Sequence, residues 1–383
     1  MISVPLALYI HIPWCVRKCP YCDFNSHEVR SAVDEAAYVR ALVDDLTTEL
    51  DRGIDRDICT IFIGGGTPSL FSPDSIGTLL QEIRKYCHIE ADAEITLEAN
   101  PGTMSEGQNR FRGYRDAGIN RVSLGVQSFS DSHLQALGRI HCGEEARLAF
   151  EAARAAGISN INIDLMHGLP GQTPDEALAD LNTATSLEPE HISWYQLTIE
   201  PNTVFYKRPP VLPADDVLWE IYEQGSRQLA GAGFERYEVS AFARAGCRSR
   251  HNLNYWTFGD YIGIGAGAHG KLSLPGGIIR TTKTRRPEDY LASPGTRTQP
   301  VATDELPLEF LMNALRLAGG FDLAAFTLAT GLPSGTLDSF LASGVKRGLL
   351  DADGSHVRPT ALGMQYLNDL LMLVETPGII TRS

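Results

Sequence analysis

The sequence predicts an α/β protein in which a parallel sheet with its helices is followed by a small helical, winged-helix-like domain. Three observations lead there. Short apolar strands and amphipathic helices alternate about six times over the first 230 or so residues, which implies right-handed βαβ units. Gly and Pro punctuate the junctions, as at Pro73, Gly118, Gly157 and Pro174. After a Gly- and aromatic-rich stretch, helical periodicity returns from Asp304. An open doubly wound sheet and a complete or partial (β/α) barrel both satisfy this pattern, and both place ligands at the C-terminal ends of the strands.

Taken in order, residues 6–12 alternate Leu6, Leu8, Ile10 and Ile12 with other residues, the period of a strand. Residues 34–50 carry Tyr38, Leu42, Leu46 and Leu50 at helical spacing. A short apolar strand at 59–63 ends on Gly64, Gly65 and Gly66, and a helix at 73–86 opens on Pro73, where proline is preorganised. Strands are expected at 94–98, 121–125, 161–166 and 191–197. Helices are expected at 105–117, 144–156, 174–187 and 213–230, with Gly157 placed to end its helix. Residues 287–300 read as a surface connection. Beyond it, Phe310, Leu311, Ala314 and Leu315 share a face, as do Leu337, Phe340, Leu341 and Val345. Residues 349–357 read as a hairpin turning at Asp353-Gly354, and 362–373 as a last helix. The domains expected are 1–240, an extension at 241–300, and a winged-helix-like domain at 301–383.

Composition narrows the function. The net charge is −14, a poor basis for nucleic-acid binding, which rests on neutralising phosphates. Residues 301–383 hold nine Asp and Glu against five Lys and Arg, which favours an interaction or covering role over DNA binding. No run of 18 apolar residues signals a membrane span, and MISVPLALYIHIP lacks the basic flank of a signal peptide. A cytoplasmic protein is expected, and peripheral membrane contact is compatible with that. Seven cysteines are too sparse for a disulfide scaffold.

Three of those cysteines, Cys15, Cys19 and Cys22, fall in a C-x3-C-x2-C run directly after the first strand. Three thiolates can share one metal centre but leave an iron–sulfur cubane one ligand short. A zinc site and reactive surface thiols are the alternatives; His11 and His27 are near, though not at zinc-finger spacing. The GGGTP string at 64–68 reads either as a tight turn or as a segment whose backbone approaches a ligand and offers N–H donors. Glu98, Gln127 and Asp164 complete a set of polar or glycine-rich positions at successive strand ends. An active-site rim is the natural reading of such clustering.

The run CVRKCPYC at 15–22 resembles the motif of the radical S-adenosylmethionine (SAM) superfamily. In that superfamily three cysteines hold three irons of a [4Fe–4S] cluster, SAM chelates the fourth, and an electron from the cluster can cleave SAM to a 5′-deoxyadenosyl radical. Its fold is a partial (β/α)6 TIM-like barrel. The strings YIHIPW (9–14), GGGTP, EANP (98–101), GVQS (125–128), LGRIH (137–141) and NIDLMHGLPG (162–171) are similar to the anaerobic coproporphyrinogen-III oxidase branch. The resemblance implies that Tyr9, Gly65 and Glu98 contact the cluster-bound SAM. It also implies that Tyr21, Gly66, Thr67, Gln127, Arg139 and Asp164 occupy positions that contact a second SAM in the dehydrogenase.

Two features separate this chain from that enzyme. The dehydrogenase has a further cysteine two residues after the third, where this chain has Phe24. The string HNLNYW at 251–256 is similar to the HNxxYW motif of the HemW-type haem chaperone subgroup. This resemblance implies haem as a ligand, His251 as a candidate axial ligand, a haem donor, and haem-accepting respiratory proteins as recipients. The alternative is an oxygen-independent coproporphyrinogen III dehydrogenase, or another radical SAM enzyme acting on a tetrapyrrole.

Overall fold

The structure is a computed structural model that describes residues 4–103 and 107–374. Its centre is six parallel strands in sequence order: β1 (Leu6–Ile12), β2 (Ile58–Gly65), β3 (Ile89–Ala99), β4 (Arg121–Gln127), β5 (Asn160–His167) and β6 (His191–Gln196). The crossovers carry α1 (Glu35–Leu50), α2 (Pro73–Tyr86), α3 (Gln108–Ala117), α4 (Gly143–Ala155) and α5 (Pro174–Ser186), and α6 (Asp215–Gly231) follows β6. The helix expected from Ser105 is seen from Gln108; position 105 lies outside the described residues. The sheet does not close, so the barrel is partial, as the resemblance implied.

Local chemistry sets the helix starts. Asp34 caps α1 by accepting from Ala37 N at 2.8 Å. Ser72 caps α2 just before Pro73, and Thr173 with Glu176 forms a capping box on α5. In β1 two of the residues between the apolar positions, Ala7 and His11, are buried too, and Tyr9 is half-buried. A barrel strand is covered by helices outside and by other strands' side chains inside, so polar residues on its inner face need not be exposed.

After β6 the chain departs from the expected pattern. Residues Ala241–Ala243 (β7) pair antiparallel with β6. A short helix, α7 (Arg250–Trp256), carries HNLNYW. Strand β8 (Asp260–Ile264) then adds parallel to β1 on its free edge, and β9 (His269–Leu274), β10 (Gly277–Lys283) and β11 (Thr296–Pro300) continue antiparallel. The 287–300 segment is therefore more than a surface connection: it forms α8 (Pro287–Ala292) and the exposed edge strand β11. Buried ion pairs fix this extension to the barrel. Lys283 Nζ meets Asp45 and Glu49 of α1, the latter at 2.6 Å. Asp260 meets Lys271 at 3.0 Å and Arg56 at 2.7 Å.

A second apolar core, including Phe310, Phe326, Leu337, Phe340 and Val357, gathers α9 (Leu306–Ala314), α10 (Leu323–Thr330) and α11 (Asp338–Lys346) around a three-stranded sheet. Its hairpin pairs residues 350–353 with 356–359. The expected last helix is broken at Tyr366 into Ala361–Gln365 and Leu367–Leu371, because Tyr366 (φ −110°, ψ 44°) leaves helical geometry.

Candidate functional site

The C-terminal ends of the parallel strands open on a cavity of about 690 Å³. It gathers most of the residues singled out in the sequence. Cys15, Cys19, Tyr21 and Cys22 come from the loop after β1, and Gly65, Gly66 and Thr67 from the end of β2. Glu98, Gln127 and Asp164 come from β3, β4 and β5, and Arg139 from the connection after β4. Tyr9 and His251 are not among its lining residues.

Burial pushes the Cys15 and Cys22 thiols up, while hydrogen bonds from Thr67 and Ser26 pull Cys15 down. A bound cation would reverse this and hold them as thiolates. Arg139 donates from Nη2 to the Gly125 carbonyl (2.7 Å) and from Nη1 to Cys19 Sγ (3.6 Å), and its buried Nε has no partner. Three thiols, an inward carboxyl and an unpartnered guanidinium N–H suit an iron–sulfur cluster together with a ligand bearing amino and carboxylate groups. His11 is closed to zinc: Nδ1 bonds Tyr9 Oη at 2.8 Å and Nε2 the Asn25 carbonyl at 2.9 Å.

The glycine run works differently from the expectation that it offers N–H donors. Gly65 N donates to Glu98 Oε2 (3.0 Å), Gly66 N to the Ile12 carbonyl (2.8 Å) and Thr67 N to the Trp14 carbonyl (2.7 Å). These bonds lock the exit of β1, and hence the cysteine loop, against β2. A Cβ at Gly65 would lie 2.6 Å from the His11 ring, on a backbone at φ +122°. One at Gly66 would lie 2.5 Å from the Trp14 carbonyl oxygen. The glycines are required by close packing within the protein, so a side chain there would strain the loop before it could obstruct any ligand.

Burial, then repulsion from Asp164, pushes the Glu98 carboxyl up to about 8. Asp164 is also pushed up by burial, opposed by bonds from Ser123 Oγ (2.8 Å) and Asn162 Nδ2 (2.7 Å). A carboxyl raised in the folded state contributes stability below its unfolded pKa and loses it as pH rises toward the folded value. Ligand-free protein should therefore weaken between about pH 4.5 and 8. Glu98→Gln should flatten that decline, gaining on the order of 2 kcal/mol at pH 8; denaturant midpoints across this range check it, and an unchanged slope would contradict it.

Tyr195 Oη donates to Gln127 Oε1 at 2.7 Å. Gln127 is left-handed at φ +71°, where the β4–β5 register slips; for a non-glycine residue such strain is characteristic of functional positions. Tyr195, with Ser123 and Ser193, was not singled out in the sequence, although these residues lie on the same strands and inward face as the cavity residues. Asn252 and Trp256 of α7, Glu238 and Arg316 line the cavity as well.

Tyr9 packs on Phe62 and lines a separate cavity of about 290 Å³ with Tyr255, Trp256 and Tyr261. His251 is buried against the second and third strands at the start of α7, whose N-terminus donates to Glu94 from Arg250 N and His251 N. Its Nδ1 bonds Thr60 Oγ1 (2.8 Å) and its Nε2 bonds Tyr255 Oη (2.9 Å). Burial lowers its pKa to about 3, so the ring is neutral. Both nitrogens are engaged, and coordinating iron would require breaking one of these bonds. His251→Ala should thus cost about 2–4 kcal/mol through a cavity and two unpartnered hydroxyls, read as a lower denaturant midpoint. A stability within 0.5 kcal/mol of the parent, roughly the surface-substitution range, would contradict this packing role.

The profile of the radical SAM superfamily matches residues 9–184, and that of the HemN C-terminal domain matches residues 301–366. The chain is 50% identical over 371 residues to "Heme chaperone HemW" of Escherichia coli (strain K12), covering 96% of this chain and 98% of that protein. It is 50% identical over 378 residues to the protein of the same name from Haemophilus influenzae, covering 97% and 98%. The counterpart from Bacillus subtilis is 37% identical over 375 residues, covering 94% and 97%. Among solved structures, coproporphyrinogen III oxidase (HemN) of Escherichia coli superposes with a TM-score of 0.81 at 23% identity, over 98% of this chain and 91% of that one, which shows a shared fold. With half its residues identical to HemW proteins over nearly their whole length, and with the three-cysteine loop, glycine run and partial barrel on one cavity, the chain belongs to the HemW family of the radical SAM superfamily.

Proposed function

We propose that this protein is a haem carrier: it binds haem, holds a SAM-ligated [4Fe–4S] cluster on Cys15, Cys19 and Cys22, and delivers haem to respiratory or other haem proteins. The observation that carries the reading is the 50% identity over nearly full length to proteins named haem chaperones. The site chemistry supports it. Arg139 suits the SAM carboxylate, Glu98 and Asp164 suit ammonium or ribose groups, and Tyr21 offers an aromatic face beside them. Tyr9 and Gly65 act on this site through packing, Tyr9 by holding His11 and Gly65 by admitting that ring against the loop. When bound, the cluster would supply one-electron chemistry. The chain's own residues would hold the thiolates at Cys15, Cys19 and Cys22, and in the absence of a cationic ligand they keep the Glu98 proton at a buried carboxyl.

Phe24, where the dehydrogenase has its extra cysteine, is 62% exposed at the cavity mouth. An exposed aromatic there suits hand-over of an apolar ring. No described helix is long and apolar enough to cross a membrane, and all seven cysteines are unpaired, which supports a reducing, cytoplasmic setting. Transfer is the direct test. Haem-loaded protein mixed with an apo-respiratory haem protein should lose its Soret absorbance as the acceptor gains it, faster than free haem is taken up. No acceleration would count against delivery. The second reading, tetrapyrrole radical chemistry, is favoured by one observation: the cavity gathers the complete set of positions expected to touch SAM except Tyr9.

A further inference from the structure

The geometry points to Arg316 as an anion-recognition residue that grips a carboxylate of the tetrapyrrole at the edge of the cavity, beside Trp256. This rests on the haem-carrier reading and deepens it.

Arg316 comes from the last turn after α9, in the C-terminal part of the chain, yet it lines the barrel's cavity with Glu238, Asn252 and Trp256. The backbone holds it there. Leu317 bridges Glu238, Ala318 N donates to the Tyr237 carbonyl at 3.0 Å, and Arg316 N donates to the Asn313 carbonyl at 3.1 Å. The guanidinium carbon stacks 4.3 Å from the centre of the Trp256 ring. Nη2 donates to Glu238 Oε2 at 3.2 Å, and Glu238 Oε1 accepts from Ser240 N at 3.0 Å.

A purely structural ion pair would leave little unsatisfied. Here two buried donors have no acceptor: Arg316 Nε and Trp256 Nε1. Buried polar groups are nearly always paired, so an orphan needs an explanation. Both orphans are N–H groups on residues lining the large cavity, Trp256 standing between it and the smaller one, so the missing partner is an acceptor. A guanidinium presents five donors in a planar fork suited to a carboxylate, and among the described residues its one hydrogen-bonded carboxylate is Glu238. Stacking on the indole holds the fork in plane, with Nη2 on Glu238 and Nε unpartnered. Haem is a flat apolar ring with two carboxylates. Trp256 can pack an apolar face while Arg316 takes a carboxylate, which would give the C-terminal part a role in cargo recognition.

The test titrates haem and haem dimethyl ester, whose carboxylates are blocked, into cluster-replete wild-type, Arg316→Met and Arg316→Lys proteins. Arg316→Met keeps the aliphatic stem packed on Trp256, and thermal midpoint and visible cluster absorbance confirm folding. Arg316→Met should weaken haem binding at least tenfold, about 1.4 kcal/mol, and change ester binding less than twofold. Arg316→Lys, which keeps the charge and loses the fork, should fall between. An equal loss for haem and ester, or no loss for haem, overturns the proposal and leaves the carrier reading standing. Wild-type protein that binds no haem overturns the carrier reading and this proposal with it.

Discussion

Alanine at Cys15, Cys19 or Cys22 is expected to abolish the broad visible absorption of anaerobically reconstituted protein, whereas Cys59→Ala and Cys247→Ala retain it. The structure separates the two groups by their surroundings. The three thiols line the cavity at the strand C-termini with Arg139 and Thr67. The other four sit on structural tasks elsewhere. Cys59 Sγ donates to the Leu6 carbonyl (3.2 Å), Cys87 to the Ile83 carbonyl (3.4 Å) and Cys247 to the Ala245 carbonyl (3.7 Å). Cys142 precedes α4 as its cap residue. A cubane already short of one protein ligand has no thiolate to spare, so each of the three losses should be near complete. Iron and sulfide content measured beside the spectrum checks this. Retention of the cluster in any of the three variants, or its loss in Cys59→Ala or Cys247→Ala, would overturn the ligand assignment.

The parallel strands were legible in the sequence because each is a short apolar run bounded by a turn and followed by a capped helix, so local chemistry and tertiary role agree. The added strands β8 to β11 were not. Thr296–Pro300 has no apolar face to alternate and is exposed along most of its length, and Asp260–Ile264 finds its partner in β1, some 250 residues earlier. The site divides the same way. Cysteine spacing is local information, so the triad could be read directly. The purpose of Gly65 could not, because the His11 ring that demands it belongs to another strand. HNLNYW was visible as a motif, but its periodicity does not say which side chain faces the cavity. The fold buries His251 between Thr60 and Tyr255 and presents Asn252 and Trp256 instead. Arg316 carries no local signal; the bridge between Leu317 and Glu238, with Ala318 N on the Tyr237 carbonyl, brings it to Trp256.

Haem added to the cluster-replete protein is expected to give a Soret band, and the same sample with SAM and a reductant should form no protoporphyrinogen IX from coproporphyrinogen III. Both halves follow from what stands at the cavity mouth and walls. Phe24 puts an exposed apolar ring where the dehydrogenase has a thiol, removing a reactive group and adding surface that a flat apolar ligand can cover. Trp256 and Arg316 offer an indole face and an unpartnered guanidinium N–H, which suit holding a tetrapyrrole by its ring and its carboxylates. Because His251 has both ring nitrogens engaged, the Soret maximum of haem-bound His251→Ala should match that of the parent in whatever protein stays folded. A shifted maximum in folded variant would mean that the imidazole leaves Thr60 or Tyr255 to reach iron. Steady protoporphyrinogen formation by the cluster-replete protein would restore the dehydrogenase reading, and a titration with no Soret change would remove haem as the cargo.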